Sequence, residues 1–297
     1  MRLARTLNRS LLFCSIFTGC VSADVLLPQA DGSTLVLPQP AGEIVTLSPH
    51  LAELVFAAGA GSHLVATVEY SDFPQEVTAV PRVGDAFRID VERIVSLKPG
   101  LVIAWDSGNP RQAVEQLRSL GIPVWSLEIR EPDEIAGTLI KIGEASGRTE
   151  TAEAAAFEFR QKLESLAARY ASRPETRYFY QVAERPLFTI NDDHLIARGL
   201  RLCGGRNIFA DEAGLAFQVS YESVIVANPD VLFAPNQESA ENPLQTWLEW
   251  PGMKAVQSGA LLLLPADEIS RATPRWLDAI EIACRLIDDL PQRRNHE

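Results

Sequence analysis

From Thr149 to Tyr170 the apolar positions return at the spacing of one helix face: Ala152, Ala156, Phe159, Leu163, Leu166 and Tyr170. No glycine or proline interrupts the pattern until Pro174. Thr149 is placed to cap this helix, and Glu150 and Glu153 fall in its first turn, where the helix dipole favours negative charge. A helix of about 22 residues rising 1.5 Å per residue spans roughly 33 Å, the width of a small domain.

The stretches on either side of this helix resemble each other. Glu92-Arg-Ile-Val-Ser-Leu-Lys-Pro99 followed by Gly-Leu-Val-Ile-Ala104 is matched by Glu222-Ser-Val-Ile-Val-Ala-Asn-Pro229 followed by Asp-Val-Leu-Phe-Ala234. Each copy reads as a short helix, a proline turn and a buried strand. A duplicated unit at this separation predicts two similar lobes with the long helix as a rigid strut between them.

The remaining pattern alternates strand and helix. A hairpin is predicted around Asp31-Gly32. Strands are predicted at 44–47, 64–68, 101–105, 124–127, 178–182, 231–234 and 261–264. Helices are predicted from Ser48-Pro49, with Ser48 as cap, and over 111–120, 132–147, 195–202 and 276–290. The predicted class is α/β: two lobes with mostly parallel sheets and flanking helices, one joining helix, and a ligand cleft between the lobes. The partition is 24–43 for an added hairpin, 44–148 for the first lobe, 149–172 for the linking helix, 173–290 for the second lobe and 291–297 for a polar tail.

The first 23 residues read as a secretory leader. Arg2, Arg5 and Arg9 precede the apolar run Leu11 to Phe17, and Val21-Ser22-Ala23 offers a small-residue cleavage site. Phe17-Thr18-Gly19-Cys20 is a weak lipobox-like alternative that would leave a lipid anchor on Cys20. Losing the three leader arginines takes the net charge from −12 to −15, a surface that repels nucleic acid and anionic membrane. Cys14 and Cys20 leave with the leader. Cys203 and Cys284 remain, and an even pair in an exported chain argues for one disulfide, with two buried thiols as the alternative.

Catalytic signatures are missing: G-x-S-x-G, Walker A, H-E-x-x-H and G-x-G-x-x-G do not occur. No histidine has a second His or a Cys at zinc-ligand spacing. His50 stands apart because it falls at the second position of a helix expected to start at the cleft. It either faces a ligand or a metal centre, or is simply solvated. Tyr70, Phe87, Trp105 and Phe217 fall in loops expected at the cleft and offer flat apolar area for a large planar ligand, with core packing as the alternative. Asp267 and Arg271 add hydrogen-bonding groups there. Glu92 and Glu222, one per repeat, form a symmetric pair of acidic knobs that suits a two-fold partner with basic pockets.

Taken together, Ile44-Val-Thr-Leu-Ser-Pro49 with Glu53, Tyr70-Ser-Asp-Phe-Pro74, Glu92 through Trp105, Cys203-Gly-Gly-Arg-Asn-Ile-Phe209 and Arg271-Ala-Thr-Pro-Arg275 resemble the periplasmic cobalamin-binding proteins of ABC importers. These belong to a larger group that also binds haem and iron-siderophores. The resemblance covers about residues 43–290. It implies a periplasmic monomer that binds a corrinoid with little hinge motion and uses no catalytic cofactor. It also implies that Tyr70 and Trp105 contact the corrinoid, that Asp267 and Arg271 line the cleft, and that Glu92 and Glu222 pair with arginines of a permease dimer. Cys203 and Cys284 match the family's disulfide. The chain departs from the family's pattern at Ala86-Phe87 and Ala216-Phe217, where tryptophans are expected, so its pocket has a different shape. A haem or siderophore carrier is the alternative within the group, with His50 or Tyr70 as axial ligand to haem. A secreted hydrolase is the alternative of another class, and the sequence shows no nucleophile paired with a base.

Overall fold

The computed structural model describes residues 24–236 and 241–290. The leader with Cys20 and Ala23, and the tail at 291–297, lie outside the described residues.

The hairpin forms first: β1 (Val25–Pro28) pairs antiparallel with β2 (Thr34–Leu37). The first lobe then runs β3 (Ile44–Thr46), α1 (Pro49–Ala57), β4 (Leu64–Ala66), α2 (Val91–Leu97), β5 (Leu101–Trp105), α3 (Arg111–Ser119), β6 (Val124–Leu127) and α4 (Pro132–Ser146). The long helix α5 (Thr149–Tyr170) follows over the residues its periodicity predicts. The second lobe contains β7 (Thr176–Tyr180), β8 (Phe188–Ile190), α6 (Leu195–Leu202), β9 (Gly205–Asn207), β10 (Ala216–Gln218), α7 (Tyr221–Ala227), β11 (Val231–Asn236), α8 (Lys254–Gln257), β12 (Leu261–Pro265), α9 (Ala266–Ser270) and α10 (Trp276–Asp288).

The two four-stranded sheets have orders β4-β3-β5-β6 and β12-β11-β7-β9, and every pairing within them is parallel. In chain order within each sheet, both orders read second-first-third-fourth, so the duplication seen in the sequence extends to topology. The repeats match in detail. α2 and α7 are each capped by the preceding side chain, Asp90 accepting from the Arg93 N–H and Ser220 from the Ser223 N–H. Both end on a left-handed residue, Lys98 or Asn228, just before the proline. Leu101 to Ala104 and Val231 to Ala234 are buried without alternation, as strands covered by helices on both faces must be.

The core is continuous between the lobes. One cluster of buried side chains runs from Leu51 and Leu54 of α1 through Leu139 of α4 and Ala152 and Phe159 of α5 to Leu200 of α6 and Ile280 of α10. Close approach of α4 and α5 depends on Gly143, where a Cβ would sit 2.3 Å from the Ala152 methyl group. This packing differs from a strut standing free between two bodies. It joins the lobes by apolar contact as well as by chain.

Three local expectations change. Thr149 is the first helical residue and does not cap α5; Arg148 occupies that place without a side-chain bond, because the turn out of α4 leaves only Gly147 and Arg148 between the helices. Ser48 is the N-terminal residue before α1, but its hydroxyl bonds His50 and leaves the backbone N–H groups uncapped. The short strands β8, β9 and β10 escape the sequence pattern because three residues are too few to show a period.

Candidate ligand-binding cleft

A cleft of about 370 Å³ opens between the lobes, lined among others by Ser48, His50, Trp105, Glu128, His194 and Arg271. The topology explains this set. His50 lies in the first turn of α1 directly after β3, Trp105 ends β5, and Glu128 follows β6. Arg271 follows the short helix beyond β12, and His194 precedes α6. Carboxyl ends of parallel strands therefore converge on one crevice.

Trp105 is held from several sides. Its backbone N–H donates to Asn109 Oδ1 at 2.7 Å, and its indole N–H donates to Glu128 Oε1 at 3.3 Å. The other Glu128 oxygen accepts from the Ser107 N–H at 3.0 Å. Gly108 lies against the ring, where a Cβ would come within 1.9 Å of an indole carbon. The Asn109 amide also donates to the carbonyls of Leu47 and Ala86, tying the ends of β3 and β5 to the loop that carries Phe87.

Tyr70 and Phe87 project from this rim, 78% and 74% exposed. Tyr70 adopts a left-handed backbone conformation at φ 65°, uncommon for a bulky residue and frequent at ligand sites. The Asp85 carboxylate accepts from the Phe87 and Arg88 N–H groups and fixes the Phe87 turn. Neither ring is explained by core packing.

Arg271 is largely committed to joining the lobes. It donates to Asp72 Oδ1 at 2.6 Å and to the Tyr70 carbonyl at 3.3 Å, and pairs with Asp267 at 3.1 Å. Asp267 lies in the first turn of α9, where it braces Arg271. Beneath them Glu53 of α1, 2% exposed, accepts from Thr273 Oγ1 at 2.6 Å and from Arg275. Arg275 also pairs with Glu268 at 2.9 Å and lies 3.7 Å over the Phe73 ring. The pairing of Glu53 with Thr273 and Arg275, and of Asp72 with Arg271, is not legible in sequence periodicity, because these partners are some 200 residues apart.

Both cleft histidines are neutral. Burial, with the Arg271 charge nearby, lowers His50 to about 4. Burial lowers His194 to about 4. His194 receives the Ile196 N–H on Nδ1 at 3.2 Å. In the sequence His50 stands out by its place after Ser48-Pro49, whereas His194 carries no motif.

Phe217 packs against a neighbour in its own lobe. It lies in β10, paired antiparallel with β8, and its ring packs on Phe209 with centroids 6.1 Å apart. Leu215 and Ala216 line the cleft instead. Alternation along a strand turns Phe217 away from the face Ala216 presents.

Glu92 and Glu222 are exposed at the first turns of α2 and α7. Neither forms an ion pair among the described residues. Each helix leads back to the start of a parallel strand, so its N-terminus lies at the end of the lobe where the cleft opens. Cys203, at the end of α6, and Cys284, in α10, form a disulfide. Among the described residues no helix is long and apolar enough to cross a membrane.

The sequence profile of the periplasmic binding protein family matches residues 44–268. The vitamin B12-binding protein of Vibrio cholerae is 40% identical over 253 residues, covering 85% of this chain and 91% of the relative. That of Yersinia pestis is 38% identical over 261 residues, covering 87% and 91%. The crystal structure of the periplasmic vitamin B12-binding protein of Vibrio cholerae superposes with a TM-score of 0.79, covering 84% of this chain and 98% of the other. A periplasmic haem-binding protein in complex with two haems superposes at 0.75 with 19% identity, covering 83% and 98%, a likeness of fold alone. With this match, the doubled parallel sheets and the cleft between them, the chain belongs to the periplasmic binding protein family.

Proposed function

We propose that this protein captures a corrinoid, cobalamin foremost, in the periplasm and delivers it to the permease dimer of an ABC importer. The observation that carries this reading is the rim of the cleft: Tyr70 and Phe87 are set out to solvent by local backbone geometry, beside Trp105 clamped at the mouth. Exposed rings held in place are platforms for a broad apolar face. The polar groups lining the cleft suit a corrin rimmed with amides, because the carboxylates of Glu128 and of Asp193, which also lines the cleft, accept amide N–H groups and repel carboxylates. The named relatives support the same ligand. No catalytic cofactor enters this reading.

Tyr70, Trp105, Phe87, His50 and Arg271 are the ligand-facing residues in this reading, with Asp267 bracing Arg271. Glu92 and Glu222 dock a monomer onto the permease. The lobes are divided at the long helix, as 44–148 and 173–290, and the leader that directs export is cleaved near Ala23.

Calorimetric titration of the mature protein with cyanocobalamin should show saturable, near-equimolar binding. No heat, and no rise in thermal midpoint at excess ligand, would overturn the reading. Haem is the second reading, favoured by the neutral His50 at the cleft; haemin titrated in parallel separates the two.

A further inference from the structure

We propose that His50 is an axial ligand to the cobalt of the corrinoid carried in this cleft, through its Nε2 atom. The inference rests on the corrinoid reading and deepens it. Among the described residues no group of three or more His, Cys, Asp or Glu is placed to hold a bare metal ion. A metal already held by four ring nitrogens needs only one nitrogen from the protein, and His50 is built to give it.

His50 lines the cleft, and its ring meets Trp105 edge-on, with centroids 5.4 Å apart and planes at 87°. The ring is therefore oriented by an aromatic wall. Its Nδ1 lies 2.5 Å from Ser48 Oγ. Ser48 is fully buried and precedes α1, yet its hydroxyl is turned from the helix cap to the imidazole. A hydroxyl both donates and accepts, so the Ser48 contact admits the tautomer with the proton on Nδ1, in which Ser48 accepts it and the Nε2 lone pair is free. A hydrogen bond at the far nitrogen is the usual way a protein fixes and strengthens a histidine ligand.

His194 lines the same cleft and provides the contrast. Its Nδ1 accepts from the Ile196 backbone N–H, a group that only donates. The proton of neutral His194 must then sit on Nε2, leaving no lone pair for a metal. Two histidines share one cleft, and only His50 has an Nδ1 partner that permits a free lone pair on Nε2.

The step is a ligand substitution at cobalt(III). The bond from cobalt to an exchangeable water breaks, the Nε2 lone pair forms a cobalt–nitrogen bond, and water leaves to solvent. The Nδ1 proton stays in its bond to Ser48, and no electron is transferred.

Aquacobalamin and diaquacobinamide, which carry exchangeable water, test this against cyanocobalamin, whose axial positions are filled. On binding wild-type protein, the visible bands of the first two should shift to those of their imidazole complexes. His50→Ala should retain the water-type bands, regain the shift when free imidazole is added, and lose at least tenfold more affinity for aquacobalamin than for cyanocobalamin. His194→Ala should keep the shift. Ser48→Ala, which leaves the ring in place, should weaken it. A water-type spectrum for corrinoid bound to wild type, or an unchanged shift in a folded His50→Ala, overturns the ligation while leaving corrinoid capture standing. If equilibrium dialysis retains none of the three corrinoids, the functional reading falls and the ligation with it.

Discussion

Glu53 of the first lobe and Arg275 of the second form a bidentate ion pair, Nε on Oε1 and Nη2 on Oε2, both at 2.8 Å. Glu53 is nearly inaccessible to water, and the Thr273 hydroxyl satisfies it further. The pair fixes how the lobes meet, directly below the cleft. Truncating one partner would leave a buried charge unmatched. Glu53→Ala is therefore expected to cost about 3–5 kcal/mol of folding free energy, read by urea denaturation. A loss under about 1 kcal/mol would show that the pair is ordinary surface electrostatics.

Acid should weaken the fold in two stages. His50 and His194 protonate near 6.5 when unfolded and only near 4 when folded. The unfolded chain binds more protons between those values, so stability is full above pH 6.5 and declines as pH falls toward 4. Below that, Asp72 contributes. Burial raises its carboxyl, but the Arg271 hydrogen bond and charge outweigh this and hold it below its ordinary 3.8. Its stabilisation is complete above 3.8 and lost as pH falls further. The thermal midpoint followed against pH should show both stages, and a His50→Gln, His194→Gln double variant should flatten the first. An unaltered first stage would assign it to other groups.

Removing a ring from the cleft should separate contact from packing. Tyr70→Ala and Trp105→Ala are each expected to weaken cobalamin binding by about 1–3 kcal/mol. Phe217→Ala, whose ring rests on Phe209, should leave affinity close to wild type. Calorimetry that ranks Phe217 with Tyr70 would contradict this arrangement.

The disulfide joins residues 81 apart in sequence. In the chain-entropy model, closing a loop of that length contributes about 4 kcal/mol, often less in practice. Reduction should lower the denaturation midpoint accordingly without abolishing corrinoid binding, because the bond links α6 to α10 behind the cleft. Free-thiol labelling of the unfolded, unreduced mature chain should find no reactive cysteine.

Docking should depend on Glu92 and Glu222 together. Two weak contacts held at a fixed spacing act as one strong contact through effective concentration. The double change to Ala is expected to lower transporter association and uptake while leaving corrinoid binding and thermal midpoint intact, and added salt should weaken the wild-type complex. Wild-type uptake by the double variant would reduce both residues to helix-start carboxylates.

The sequence by itself determined the elements and their duplication. Leu101 to Ala104 and Val231 to Ala234 are short unbroken apolar runs after a proline turn, the pattern of a covered parallel strand, and the α5 stripe has the helical period, so local chemistry fixed their form. The chemistry-bearing loops after those strands were legible for the same reason: parallel strands bring their carboxyl ends together. Only the tertiary structure decided what each loop residue does. Phe217 lies on a three-residue strand whose register turns its ring to Phe209, and no period can be read in so short a run. Glu53, Asp72, Arg271 and Arg275 meet across some 200 residues, a distance at which sequence carries no pairing signal. The Nδ1 partners of His50 and His194, a hydroxyl and a backbone N–H, are local, but only the packing of the two lobes brings both rings to one cleft.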